Sequence, residues 1–208
     1  MNEILALDLS IRSTGYCKAE ADNPQFTITA LGSLKTKLRD EHLKAGVKVV
    51  DREYTLQENI DQTLQSLLAL GLQSQEMVFV VLEGMAFRAS GDSASKLAEL
   101  QGVIRIHLHW AKRLWLPVSP QTIKAHAIIS DSGGGAKKGM VAMHARMQFA
   151  DAILRWGQEI TDDDQADSLV LCHLSWLFYR WSRELPITGY QLTKRSLDRL
   201  KNLQKANQ

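Results

Sequence analysis

Residues 4–17, ILALDLSIRSTGYC, decide the fold. Ile4 to Leu7 form an apolar run that ends in Asp8, Ser10 to Thr14 form a polar turn, and Gly15, Tyr16, Cys17 and Lys18 lead into a second strand. Gln25 to Leu34 alternate well enough to make a third, with Phe26, Ile28 and Ala30 in step. Three short strands joined by tight turns predict an antiparallel meander.

Working outward, the charged stretch Lys35 to Glu53 has no clear period and reads as a loop or irregular insertion. Leu56, Ile60, Leu64, Leu67 and Leu68 then fall at helical spacing, ending near Gly71. Met77 to Leu82 is continuously apolar, rich in Val and Phe, and predicts a strand buried on both faces that stops at Glu83. A long helix follows the cap Gly91, Asp92, Ser93, with Leu97, Leu100, Ile104, Leu108 and Ala111 on its stripe. Leu114 to Val118 make a last short strand, and Pro120 suits the first turn of another helix. The glycine-rich loop from Ser130 to Gly135 ends at Lys137 and Lys138, and helices are expected from about Gly139 to Trp156 and from about Asp163 to Trp181. Helical crossovers make the later strands parallel to the first. The expected fold is α/β: a mixed five-stranded sheet, three strands antiparallel and two parallel, flanked by helices.

The 208 residues suit one domain, since domains usually run to about 100–200 residues. We place it at residues 1–182, followed by a polar, basic extension at 183–208 that reads as loosely attached. A net charge of +2 does not announce nucleic acid, so a DNA-binding surface must come from local clustering. Cys17 and Cys172 have neither disulfide-scaffold density nor zinc spacing and read as buried thiols in a reducing compartment. The N-terminus has no basic leader, and no apolar run reaches the roughly 18 residues of a membrane helix. A cytoplasmic location without membrane contact is the expectation.

Four carboxylates carry the chemistry. Asp8 ends an otherwise apolar strand, although a turn-capping Asp is the plainer account. Glu83 follows six apolar residues and points to the strand end where open α/β sheets place ligands. Asp164 and Asp167, three apart, share one face of a helix, while Ala166, Leu169, Val170, His173 and Leu177 form the packing face. The acidic run Asp162, Asp163, Asp164 also complements a helix dipole, but Asp167 lies further in and would repel its neighbour unless a cation stood between them. Hard oxygen donors from two strand ends and one helix suit one or two Mg²⁺ ions. His107, His109, His126 and His173 show no zinc geometry, and the tryptophans fall mostly at helix-core spacing.

These segments together resemble the RuvC family of Holliday-junction resolvases, of the RNase H-like superfamily. The resemblance spans roughly residues 4–178. It rests on the opening stretch around Asp8, on VVLEGMAFRASGDSASKLAELQG around Glu83, on VSPQTIKAHAI, on GGGAKKGMVAMHARM, and on DDDQADSLVLCHL around Asp164 and Asp167, all in the family's order. It implies that Asp8, Glu83, Asp164 and Asp167 are catalytic and bind two Mg²⁺ ions, with Mn²⁺ able to substitute. It also implies that the important loop lysines are Lys124 and Lys138, with the adjacent Lys137 able to fill the latter's place. The chain departs from the family's pattern after the first acid, where Leu9 and Ser10 replace a Pro or Gly, and in its longer Lys35–Glu53 segment. Phe87 matches the family's base-contacting aromatic only approximately.

The function implied is a Mg²⁺-dependent endonuclease that resolves four-way DNA junctions by paired symmetric nicks. Candidate DNA contacts are Phe87, Arg88, Lys96, Lys124, Lys137, Lys138, His144 and Arg146, with Met85 and Phe87 placed to wedge at an opened base step. Lys138 is the candidate for stabilising the charged phosphate during cleavage. Two symmetric cuts require two sites and hence a homodimer, for which Val103, Ile106 and Trp110 on the long helix offer an apolar row that equally suits a core. A branch-migration partner is compatible with this reading. Alternatives are another RNase H-like nuclease acting on branched DNA or hybrids, a non-catalytic junction-binding protein, and an ATP-binding module in which DLSIRSTG forms a phosphate-binding hairpin. The last needs a duplicated domain, for which this length leaves no room.

Overall fold

The structure, a computed structural model, describes residues 1–36, 49–84, 92–127, 139–190, 192 and 194–205. Its strands are β1 (Glu3–Asp8), β2 (Ser13–Glu20), β3 (Ile28–Lys35), β4 (Met77–Glu83) and β5 (Trp115–Val118). They form one sheet in the order β3-β2-β1-β4-β5. The first three pair antiparallel, and β4 and β5 join in parallel, as expected. The helices are α1 (Val49–Ala69), α2 (Asp92–Trp110), α3 (Pro120–Ala127), α4 (Met140–Gln148), α5 (Ala150–Trp156), α6 (Asp163–Ser182) and α7 (Lys194–Lys205).

Successive side chains of a strand point to opposite faces, so the central strand β1 feeds two cores. Leu5 and Leu7 join Val80 and Leu82 of β4 under α1 and α2, through Leu56, Ile60, Leu64, Leu67, Leu100, Ile104 and Leu108. Ile4 and Ala6 join Phe79 and Val81 on the other face, with Cys17 and Ala19 of β2, under α3 to α7. Each buried Leu or Val side chain contributes about 1.5–3 kcal/mol relative to exposure. That parity matters for the acids. Asp8 follows Ile4 and Ala6, and Glu83 follows Phe79 and Val81, so both belong to the face covered by α6.

Helix α6 is buried on nearly all sides, including Ala166, Leu169, Val170, Cys172, His173, Trp176 and Leu177. Arg180, near its end, donates to the Ala21 carbonyl at 2.8 Å and to the Pro186 carbonyl at 2.6 Å, strapping the following segment to the sheet. Among the described residues no helix is long and apolar enough to cross a membrane.

Three sequence expectations need correction. The irregular insertion ends earlier than Glu53, because α1 starts at Val49; residues 37–48 lie outside the described set. The single helix expected over 139–156 is two, broken at Phe149. Phe149 leaves helical geometry at φ −110° and ψ 19°, and its buried ring packs 4.7 Å from the His173 ring and 6.0 Å from Phe26. The tail is not loose: Leu200 and Leu203 of α7 are buried in the same core as α6.

Candidate active site

The registry of the sheet places Asp8 and Glu83 side by side. Leu7 pairs with Leu82 across the parallel β1–β4 ladder, and the next residue of each strand is an acid. On the other edge of β1, Asp8 pairs with Gly15 of β2. The first turn of α6 descends onto that glycine: a Cβ at position 15 would stand 2.1 Å from the Asp164 carbonyl oxygen and 3.2 Å from its Cα. Only a residue without a side chain lets the helix approach so closely. The approach brings Asp164, and Asp167 one turn on, to the strand ends.

All four acids are half-buried, and the titration of Asp8 and Asp167 records the crowding. Burial pushes the Asp8 carboxyl up to about 9, assisted by its hydrogen bond to Glu83 and by the negative charges of Glu83 and Asp164. Asp167 is raised to about 7, first by burial and then by Asp8, Asp163 and Asp164, with Lys124 of α3 pulling the other way. Half-buried carboxylates offer the hard oxygen donors that Mg²⁺ or Mn²⁺ takes. Among the described residues, no group of three or more His, Cys, Asp or Glu side chains is placed so that it could hold a metal ion.

Several residues that the sequence did not single out hold these acids. Ser13 Oγ donates to Asp164 Oδ2 at 2.5 Å. Asp162 is the N-cap of α6, accepting from the Gln165 amide at 2.9 Å, while Gln165 Oε1 accepts from the Thr161 amide at 2.8 Å. Ser33 of β3 donates to both Asp162 carboxylate oxygens at 2.8 Å, and Lys35 reaches Oδ2 at 3.9 Å. The N-cap was signalled by an Asp at position 162 ahead of the helical run. Gln101, buried on α2, donates to the Glu83 carbonyl at 3.0 Å and accepts from Arg105 at 2.9 Å. A Gln beside Leu100 on an apolar stripe was the available signal. The turn after Asp8 is closed by Ser10 and Thr14: Ser10 Oγ accepts from the Arg12 and Ser13 amides, and Thr14 Oγ1 donates to the Ser10 carbonyl at 3.0 Å. No turn-capping duty therefore falls on Asp8.

Among the candidate DNA contacts, Lys124 is exposed beside Asp167, and Lys96 lies half-buried on α2. Arg146, although exposed, donates to the Ile160 carbonyl at 3.1 Å and so ties α4 to the approach of α6. Phe87, Arg88, Lys137 and Lys138 lie outside the described residues, as does Met85.

Behind the acids, His126 Nε2 lies 3.0 Å from His173 Nδ1 with the rings stacked. Both imidazoles are buried, and burial holds His126 down at about 3 and His173 well below its ordinary value. The pair pins α3, which carries Lys124, to α6, which carries Asp167. Cys17 and Cys172 are free and buried; burial first, then the bond to Cys172, raises the Cys17 thiol.

The fold is RNase H-like, of the kind found in RuvC-type resolvases. Thermus thermophilus RuvC superposes with a TM-score of 0.59 at 15% identity, over 88% of this chain and 96% of that one. The structure of the same enzyme in complex with Holliday junction substrate gives 0.59 at 14%, with the same coverage of each chain. The yeast mitochondrial Holliday junction resolvase gives 0.53 at 16%, over 99% of this chain and 82% of that one. No family model and no curated protein matches the sequence.

Proposed function

We propose that this protein is a metal-dependent, structure-selective endonuclease that resolves four-way DNA junctions by paired nicks. The observation that carries the reading is the convergence of Asp8, Glu83, Asp164 and Asp167 at the carboxyl ends of two adjacent parallel strands. The similarity to RuvC in complex with Holliday junction substrate and to a mitochondrial Holliday junction resolvase supports the choice of substrate.

In this reading the four carboxylates hold two Mg²⁺ ions, for which Mn²⁺ substitutes. Bound divalent cations supply Lewis acidity at the scissile phosphate and a nucleophilic water at neutral pH. Asp8, between Glu83 on one side and α6 on the other, would be the acid common to both sides of the metal site. Lys124, exposed beside Asp167, is assigned to a phosphate oxygen next to the acids, and Lys138, with Lys137 beside it, to the charge that develops at phosphorus. Arg88, Lys96 and Phe87 are assigned to the DNA arms.

A homodimer fits the need for two coordinated nicks. Ile106 and Trp110 on α2, with Leu114 after it, are exposed at 49%, 69% and 60%. They form an apolar row suited to a second copy, whereas Val103 packs partly into the core.

The test is cleavage of labelled four-way, three-way and linear duplex DNA by the full chain, with Mg²⁺ or EDTA, alongside Asp8→Asn. Mg²⁺-dependent symmetric nicking of the four-way junction is expected. Asp8→Asn should lose at least about 10²-fold in rate while retaining junction binding. Equal cutting of linear duplex would overturn the substrate assignment, and unimpaired cleavage by Asp8→Asn would overturn the metal assignment.

A further inference from the structure

We propose that Ser13 is a positioning residue for the acid cluster: its hydroxyl fixes the rotation of the Asp164 carboxylate and thereby sets the affinity of the site for divalent cations. This rests on the metal-dependent reading above. The contact joins two elements held independently. Ser13 opens β2, its amide bonds to Ser10 Oγ at 3.4 Å, and it pairs with Lys35 of β3. It lies on the same strand face as Gly15 and Cys17. Asp164 is fixed by the seating of its main chain on Gly15 and by the cap at Asp162. The 2.5 Å bond from Ser13 Oγ to Asp164 Oδ2 therefore spans two anchored backbones.

The terminal torsion of an aspartate is broad and nearly two-fold, so a carboxylate at a helix start has no intrinsic preference for presenting one oxygen or the other. Engaging Oδ2 removes that freedom and leaves Oδ1 as the acceptor offered to a cation. The neighbouring acid receives different treatment. Asp162 has both oxygens on Ser33 and one on the Gln165 amide, so it is consumed in holding the helix. Asp164 receives one donor from the sheet and lies in electrostatic contact with Asp8. Ligating carboxylates are characteristically held by such outer partners, whose removal costs metal affinity about 10- to 100-fold.

The experiment compares wild type, Ser13→Ala, Ser13→Thr and Asp164→Asn as full chains. Mn²⁺ binding is read without DNA from the electron paramagnetic resonance signal of the free ion. Junction affinity and thermal unfolding are read in EDTA, and cleavage is read against Mg²⁺ concentration. Ser13→Ala should bind Mn²⁺ about 10- to 100-fold more weakly and require correspondingly more Mg²⁺, with junction affinity in EDTA unchanged and the rate at saturating Mg²⁺ largely restored. Ser13→Thr, which keeps the hydroxyl, should bind Mn²⁺ like wild type. Wild-type Mn²⁺ affinity in Ser13→Ala would overturn the proposal. So would equal weakening in Ser13→Thr, which also decides the matter should the Ala variant unfold in EDTA. Absence of Mn²⁺ binding in wild type would bring down the metal-dependent reading together with this one. Tight wild-type binding that only Asp164→Asn impairs would sink the role of Ser13 alone.

Discussion

Gly15 on β2 and Asp164 on α6 touch main chain to main chain, so that a single methyl group at Gly15 would fall 2.1 Å from the Asp164 carbonyl oxygen. Neither partner is a flexible side-chain tip that can swing aside. Gly15→Ala should therefore destabilise the protein by about 1–3 kcal/mol or more, as overpacking does, and lift the acids of α6 away from Asp8. Urea unfolding together with cleavage kinetics checks this; unchanged stability with full activity would show that the helix start yields freely.

The raised acids link metal, protons and stability. Asp8 goes from 3.8 to about 9 and Asp167 from 3.8 to about 7. Between those values the folded chain holds protons that the unfolded chain has released. Their contribution to metal-free stability is thus fully present below about 3.8 and is lost as pH rises through 7 for Asp167 and through 9 for Asp8. A cation that replaces those protons should raise the melting temperature more at pH 9 than at pH 6. Calorimetry in Mg²⁺ and in EDTA across that range measures the difference, and a Mg²⁺ effect independent of pH would contradict it.

Gln101 donates to the Glu83 carbonyl and also receives Arg105. Gln101→Leu keeps the volume but removes donor and acceptor together. A loss of about 1–3 kcal/mol is expected from the buried groups left unpaired, with cleavage reduced more than junction binding. Denaturant titration and a binding isotherm in EDTA separate the two effects.

Trp110 should matter to assembly and not to folding. Because it is 69% exposed, Trp110→Asp is expected to change monomer stability by no more than about 0.5 kcal/mol while shifting sedimentation from dimer to monomer. A wild type that sediments as a monomer, both alone and on a junction, would remove this surface from the assembly.

The strands were legible wherever buried apolar runs announced them, as in Met77 to Leu82, and the acids were legible because each broke such a run or repeated on one helical face. Two helix boundaries were not. Val49 to Glu53 extends α1 into a stretch whose charges hide the helical period, and Phe149 interrupts a helix with neither Pro nor Gly because its ring is wanted against Phe26 and His173. Ser13 and Gln101 escaped for a different reason. Their roles exist only through partners 151 and 18 residues away, and no local pattern encodes such a pairing. The same holds for the tie made by Arg146, one of whose guanidinium nitrogens donates to the Ile160 carbonyl that only the tertiary fold brings near.

The two-sided character of β1 restricts how this chain can change length. A one-residue insertion or deletion between Ile4 and Asp8 would turn Asp8 toward Leu5, Leu7 and the helices α1 and α2, and would present a leucine to the other acids. The same counting holds for β4 up to Glu83. Length variation compatible with activity is thus confined to connections that do not disturb this alternation, and a family tree of such proteins should show insertions between β3 and β4 and none inside β1 or β4.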